Sequence, residues 1–222
     1  MCGRFSLNAD PTQLKKIFPW LNVPDNLEPR YNVAPGQPVA VVPNDGENRL
    51  DFFIWGLIPS WAKDPKIGNR MINARAETVD QKSSFKAAFR RRRCLVLADG
   101  FYEWKREPTT KTKIPMYVKL KSSSPFGMAG LWEIWHNGNG SEVRSCTIIT
   151  TEPNELLSEI HNRMPVILPE ERYRMWLNPD EGDPCELKSI LIPYASEKMT
   201  AYPVSRLVNN PANDTAACLE PA

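Results

Sequence analysis

Hydrophobic and polar positions alternate along this chain in many short runs, each stopped by Pro, Gly, Asn or Asp. The runs are CGRFSL, QPVAVVP, LDFFIWGLI, RMINARAE, RCLVLADGFYEWK, IPMYVKLK, GMAGLWEIW, SCTIITT and KMTAYPV. Their β-branched and aromatic content predicts strands. Helical spacing is rarer. DPTQLKKIF offers Asp10 as an N-cap and Pro11 at the first helical position, and SSFKAAFRRR, TEPNELLSEIHN, ERYRMWL and CELKSIL follow. The pattern predicts one α+β domain over residues 1–222, built on a large, mostly antiparallel sheet that curls toward a barrel with helices at its flanks. Residues 209–222 are expected to form an irregular tail.

The same alternation assigns faces, because residues two apart on a strand point the same way. In MCGRFSL, Phe5 and Leu7 are expected in the core, with Cys2, Arg4 and Ser6 opposite. A thiol beside an arginine is not where a structural cysteine is expected. A sulfur packed in hydrophobic surroundings, away from the arginines, would overturn a chemical role for Cys2. In MINARAET, Asn73, Arg75 and Glu77 share one face and Ala74 and Ala76 the other, which reads either as a polar site floor or as a solvent-facing edge. In ADGFYEWK, Asp99 and Gly100 mark a turn. Tyr102 and Trp104 then share one face, and Phe101, Glu103 and Lys105 the other. A carboxylate between bulky apolar neighbours is held protonated to higher pH, which suits proton transfer near neutrality; the plainer reading is a surface carboxylate.

Composition narrows the field. The 222 residues are 41% hydrophobic and 24% charged, with a formal net charge of +2, so no basic excess advertises a nucleic-acid partner. The arginines at 90–93 read as a solvated helix end. There is no apolar leader segment and no run long enough to span a membrane, so a cytoplasmic protein is expected. Cysteines 2, 94, 146, 185 and 218 form no C-x-x-C motif, and only His136 and His161 accompany them, so no zinc site and no disulfide are expected. Cys94 and Cys146 read as core strand residues. His136 lies in a Gly-rich turn. His161 closes a helix, where the dipole favours its protonated form, and leads into Arg163, which makes it an acid–base candidate.

Cys2 follows the initiator methionine. Once Met1 is trimmed, a free α-amine and a thiol stand on adjacent carbons, a pair suited to capturing an aldehyde. An α-amine has a pKa near 8, so a useful fraction is neutral at physiological pH.

MCGRF, RYNVAPGQ (30–37), WGLIPSWAKD (55–64), NARAET (73–78), RRRCLVLADGFYEWK (91–105), IHNRMPVIL (160–168) and YPVSRLVN (202–209) together resemble the SRAP (SOS response-associated peptidase) family, in order over nearly the whole chain. The resemblance implies a protein that recognises abasic sites in single-stranded DNA. It further implies a covalent, lesion-protecting link, a thiazolidine between Cys2 and the ring-opened sugar. By the same resemblance Cys2 is the nucleophile, Asn73 orients the reacting groups, and Glu103 and His161 handle protons. Arg4, Arg75 and Arg163 hold phosphates, and Asn32, Pro35, Trp61 and Thr150 join them along the DNA path. No cofactor, metal or obligate protein partner is implied, and a cytoplasmic monomer, nucleoid-associated in a bacterium, is expected. Two other readings stay open at this stage. One is a cysteine peptidase or N-terminal-nucleophile hydrolase that removes its own Met1, which needs only the thiol. The other is a non-covalent reader of modified DNA, which needs neither amine nor thiol.

Overall fold

The computed structural model describes residues 2–107 and 112–222. In chain order the strands are β1 (Phe5–Leu7), β2 (Arg30–Val33), β3 (Pro38–Pro43), β4 (Asp51–Trp55), β5 (Asn73–Arg75), β6 (Arg93–Ala98), β7 (Gly100–Arg106), β8 (Lys113–Leu120), β9 (Phe126–His136), β10 (Glu142–Thr151), β11 (Met164–Pro165), β12 (Ile167–Leu168) and β13 (Met199–Pro203). The helices are short: α1 (Pro11–Ile17), α2 (Lys86–Arg91), α3 (Glu155–Ser158), α4 (Glu170–Leu177) and α5 (Pro184–Ser189). Helix α1 starts as its sequence predicts. Asp10 accepts from the Gln13 amide, Gln13 returns the bond to the Asp10 amide, and Pro11 occupies the first turn.

The barrel closes through β10–β4–β3–β6–β9, because β9 also pairs with β10. Strand β10 runs parallel to β4 and to β5, and the remaining ladders are antiparallel. A second sheet has the order β13–β8–β7–β1–β2. The fold is thus α+β and dominated by its sheets, as the alternation predicts.

Barrel strands are apolar on both faces because both are covered. On β6, Leu95 and Leu97 join Leu14, Phe18, Phe89 and Trp176 beneath the helices. Their alternates Cys94, Val96 and Ala98 pack with Phe5, Phe101 and Val118 of the second sheet. Cys94 and Cys146 are fully buried strand residues, as expected.

The run RCLVLADGFYEWK is divided between the two sheets at Asp99. This buried carboxylate accepts from Ser6 Oγ (2.5 Å) and from the Ala9 amide (3.0 Å), pinning the start of the chain against the β6–β7 corner. Gly100 must be glycine, since a Cβ there would sit 2.2 Å from the Tyr117 ring. Strand β1 enters between β2 and β7, with Phe5 opposite Phe101.

One expectation about charge is modified. Arg90 and Arg91 are exposed, but Arg93 is fully buried. It begins β6, and its five N–H groups reach the carbonyls of Trp176, Phe89, Arg90, Asn178 and Glu181 at 2.6–3.2 Å. Burial lowers its pKa to about 10. The tail contains a 3-10 turn, Ala216–Leu219, and Asp214 accepts from the amides of Tyr31 and Asn32.

Candidate active site

The antiparallel register of β1 and β7 continues beyond Phe5, with the Tyr102 amide donating to the Arg4 carbonyl at 2.9 Å. Residues 2 and 3 therefore run beside Glu103 and Trp104. Cys2 is fully buried and packs within the apolar cluster that contains Phe5, Leu157 and Met164. This corrects the expected faces. The strand begins only at Phe5, so alternation does not carry back to Cys2. The Arg4 guanidinium turns instead to Asn32 Oδ1 (2.7 Å) and the Val208 carbonyl (2.5 Å). Ser6 and Leu7 are both buried, because β1 is covered on both sides. The thiol is thus packed in hydrophobic surroundings, the outcome set above against a chemical role, and what favours reactivity at the position is its polar neighbours, the Arg4 backbone and Glu103 among them.

The first neighbour is Asn73, whose side-chain amide donates to the Cys2 carbonyl at 2.8 Å. Strand β5 presents it there, held in parallel register with Ile148 opposite Asn73. Ala74 and Ala76 are buried while Arg75 and Glu77 are exposed, so the faces predicted for MINARAET are those observed. Asn73 Oδ1 is buried and has no hydrogen-bond partner among the described residues, which leaves an acceptor for a ligand.

The second neighbour is Glu103, 3% exposed on β7. Burial raises its pKa above the usual carboxylate value, and the His161 imidazole works against that rise. His161 Nδ1 lies 3.9 Å from Glu103 Oε1. The same Nδ1 lies 3.1 Å from the Arg163 amide and 3.2 Å from the Arg163 carbonyl. The Cys2 thiol pKa is driven up by burial and, secondarily, by the charge of Glu103. The arrangement joins a protonated thiol, a carboxylate able to take its proton, and a half-buried imidazole.

The other expected residues divide into three groups. Arg163 and Arg75 border this site, but Arg163 is already held: Glu77 grips it with two bonds of 2.6 and 3.0 Å, and the Thr150 carbonyl accepts at 2.6 Å. Asn32 and Thr150 are buried. Asn32 Nδ2 reaches the carbonyls of Val208, Asn210 and Asn213 while its Oδ1 accepts from Arg4, and the Thr150 carbonyl accepts from Arg163. Trp61 is 59% exposed and Pro35 is exposed on the turn after β2. His136 is exposed and lies 3.9 Å from Glu142.

Beside the site, Trp104 Nε1 donates to Asn209 Oδ1 at 2.8 Å, and the Arg4 guanidinium sits 5.9 Å from the Trp104 ring centroid. Both lie in motifs quoted above, Trp104 directly after Glu103 and Asn209 in YPVSRLVN. Among the described residues no group of His, Cys, Asp and Glu is placed to hold a metal ion, and no helix is long and apolar enough to cross a membrane.

The family model described as SOS response associated peptidase (SRAP) matches residues 1–211. The chain belongs to the SRAP family. Among SRAP relatives, the abasic site processing protein YoqW of Bacillus subtilis is 51% identical, with 99% of each chain covered. The abasic site processing protein HMCES of Rattus norvegicus is 33% identical over all of this chain and 76% of its own. A crystal structure of a Bacteroides thetaiotaomicron protein superposes with a TM-score of 0.88 at 30% identity, covering both chains completely.

Proposed function

We propose that this SRAP protein captures abasic sites in single-stranded DNA by a covalent bond through Cys2, acting as a cytoplasmic monomer that shields the lesion. The observation that carries the proposal is the position of Cys2, tied by Asn73 and beside Glu103 and His161. The names of its relatives supply the lesion.

The chemistry begins with loss of Met1, which frees the Cys2 amine. An abasic deoxyribose exchanges between a closed hemiacetal and an open aldehyde; as it opens, His161 in its imidazolium form gives a proton to the ring oxygen and the anomeric hydroxyl gives its proton to water. The neutral amine attacks the aldehyde carbon. Loss of one water leaves an imine, the usual outcome of amine catalysis. The thiol then adds to the imine carbon. Its proton passes to Glu103 and from there to the nitrogen, closing a five-membered thiazolidine. Closure is intramolecular and so outruns release or strand cleavage. One water is lost overall, and nothing is oxidised or reduced. Asn73 fixes the Cys2 carbonyl, and its open Oδ1 accepts a sugar hydroxyl.

Arg4, Arg75 and Arg163 position phosphates, and Trp61 stacks against a neighbouring base. The aldehyde, rather than a large basic surface, supplies selectivity, in keeping with a net charge of +2. A cysteine peptidase needs a thiolate, and burial opposes one at Cys2.

The proposal is tested by incubating the protein with a single-stranded oligonucleotide carrying one abasic site and resolving the products on a denaturing gel. Wild type gives a heat-resistant shifted band, and Cys2→Ser gives none. A Cys2→Ser band of equal yield and heat resistance sinks the mechanism.

A further inference from the structure

Beyond His161 the surface opens into a groove made of two adjoining cavities. One, of about 350 Å³, is lined by Trp104, Arg106, Lys113, Ile160, His161 and Asn162. The other, of about 550 Å³, is lined by Trp104, Thr112, Lys113, Arg206 and Asn209. Trp104 and Lys113 belong to both, so the groove runs without a break from the imidazole to the turn at residues 206–209.

Arg106, Lys113 and Arg206 all line it. Arg106 and Lys113 face each other directly across the β7–β8 ladder. Like charges in that position repel and cost stability. Among the described residues, neither they nor Arg206 forms an ion pair with a carboxylate. The aromatic wall is fixed in place, since Asn209 holds the Trp104 indole N–H at 2.8 Å and Arg4 lies against its ring. A groove with unneutralised cations along an anchored indole matches the two needs of a single strand, phosphate neutralisation and a stacking surface.

We infer that this groove is a second nucleic-acid subsite, which takes the strand leaving the lesion on one side only, with a base against Trp104 and phosphates at Arg106, Lys113 and Arg206. The inference rests on the DNA reading above and adds a track and a polarity to it. The repulsion between Arg106 and Lys113 is relieved when a phosphate lies between them.

The test separates binding from chemistry by using a tetrahydrofuran abasic analogue, which has no aldehyde. Three single-stranded probes are titrated at several salt concentrations: a trinucleotide with the analogue at its centre, and the same unit extended by six nucleotides on its 5′ side only or its 3′ side only. Wild type gains affinity from one extension more than from the other. Arg106→Ala/Lys113→Ala loses roughly tenfold of that gain at low salt, and its salt slope on that probe falls by about 1.4, two contacts at about 0.7 each for a single strand. The thermal midpoint of the double variant is unchanged or higher, which a purely structural pair of residues would not give. Arg90→Ala/Arg91→Ala, with the same charge removed outside the groove, keeps the wild-type slope. The inference is overturned if the double variant keeps the wild-type gain and slope, if it loses as much on the trinucleotide, or if the control variant loses equally. Failure of wild type to bind any probe instead overturns the DNA reading itself, and this inference with it.

Discussion

Asn73 holds the Cys2 carbonyl at 2.8 Å, so a strand on the barrel, and not the terminal segment itself, sets where the candidate nucleophile stands. Asn73→Ala removes that tie and the open acceptor together. Single-turnover adduct formation is expected to slow by roughly a hundredfold, the scale of a misplacement near 1 Å. Asn73→Asp keeps the shape and loses the donor, so it too is slow. A wild-type rate in both variants removes Asn73 from the site.

Glu103 gives a stability prediction as well as a kinetic one. Its folded pKa is raised from 4.5 by burial. The favourable contribution is therefore complete below the unfolded value and is lost as pH rises through the raised folded value. Glu103→Gln is expected to unfold at a higher temperature than wild type at pH 7, with the difference vanishing below about pH 4. The same substitution slows thiazolidine closure, and in wild type the rate falls as pH drops through the Glu103 titration. A Glu103→Gln protein less stable than wild type at pH 7, with an unaltered rate, contradicts both assignments.

Arg163 is occupied by Glu77 in the free protein, and Glu77 is held ionised by that contact. A phosphate has to take the place of the carboxylate. Glu77→Gln is expected to bind single-stranded DNA several-fold more tightly at low salt, with an advantage that shrinks as salt rises. Weaker binding would show that Glu77 orients Arg163 for the strand instead of competing with it.

Arg93 ties α4 and the turn after it to the end of α2 through five carbonyls. Arg93→Ala leaves those acceptors buried and opens a cavity, at a cost of about 3 kcal/mol or more. Arg93→Lys, with three donors in place of five, recovers only part of the loss. Urea unfolding measures both. A loss under about 1 kcal/mol for the alanine variant contradicts the clamp.

Much of this was legible from the chain, and the exceptions have physical causes. Alternation in MINARAET placed Asn73 and Arg75 opposite the buried Ala74 because β5 is a strand with one covered face, and the exposed Glu77 lies in the turn that follows it. The same rule failed at Cys2 because residues 2–4 precede β1 and because β1 is buried on both sides, where Ser6 survives only through Asp99 and Tyr117. Arg93 looked solvated because three arginines precede it, yet the helix ends at Arg91 and Arg93 starts a barrel strand. The burial of Asn32 and Thr150 was not legible, since pattern alone does not show which polar side chains hold an arginine in place. Strands β11 and β12 are two residues each, too short to leave a period.

The central claim is that nitrogen and sulfur of Cys2 join the same carbon. It is tested most directly by intact mass of the gel-purified adduct before and after iodoacetamide treatment in denaturant, with Cys94, Cys146, Cys185 and Cys218 replaced by serine or alanine. The account predicts the mass of protein without Met1 plus oligonucleotide minus one water, unchanged by iodoacetamide. An adduct that retains Met1, or one that still takes up a carbamidomethyl group at Cys2, contradicts it.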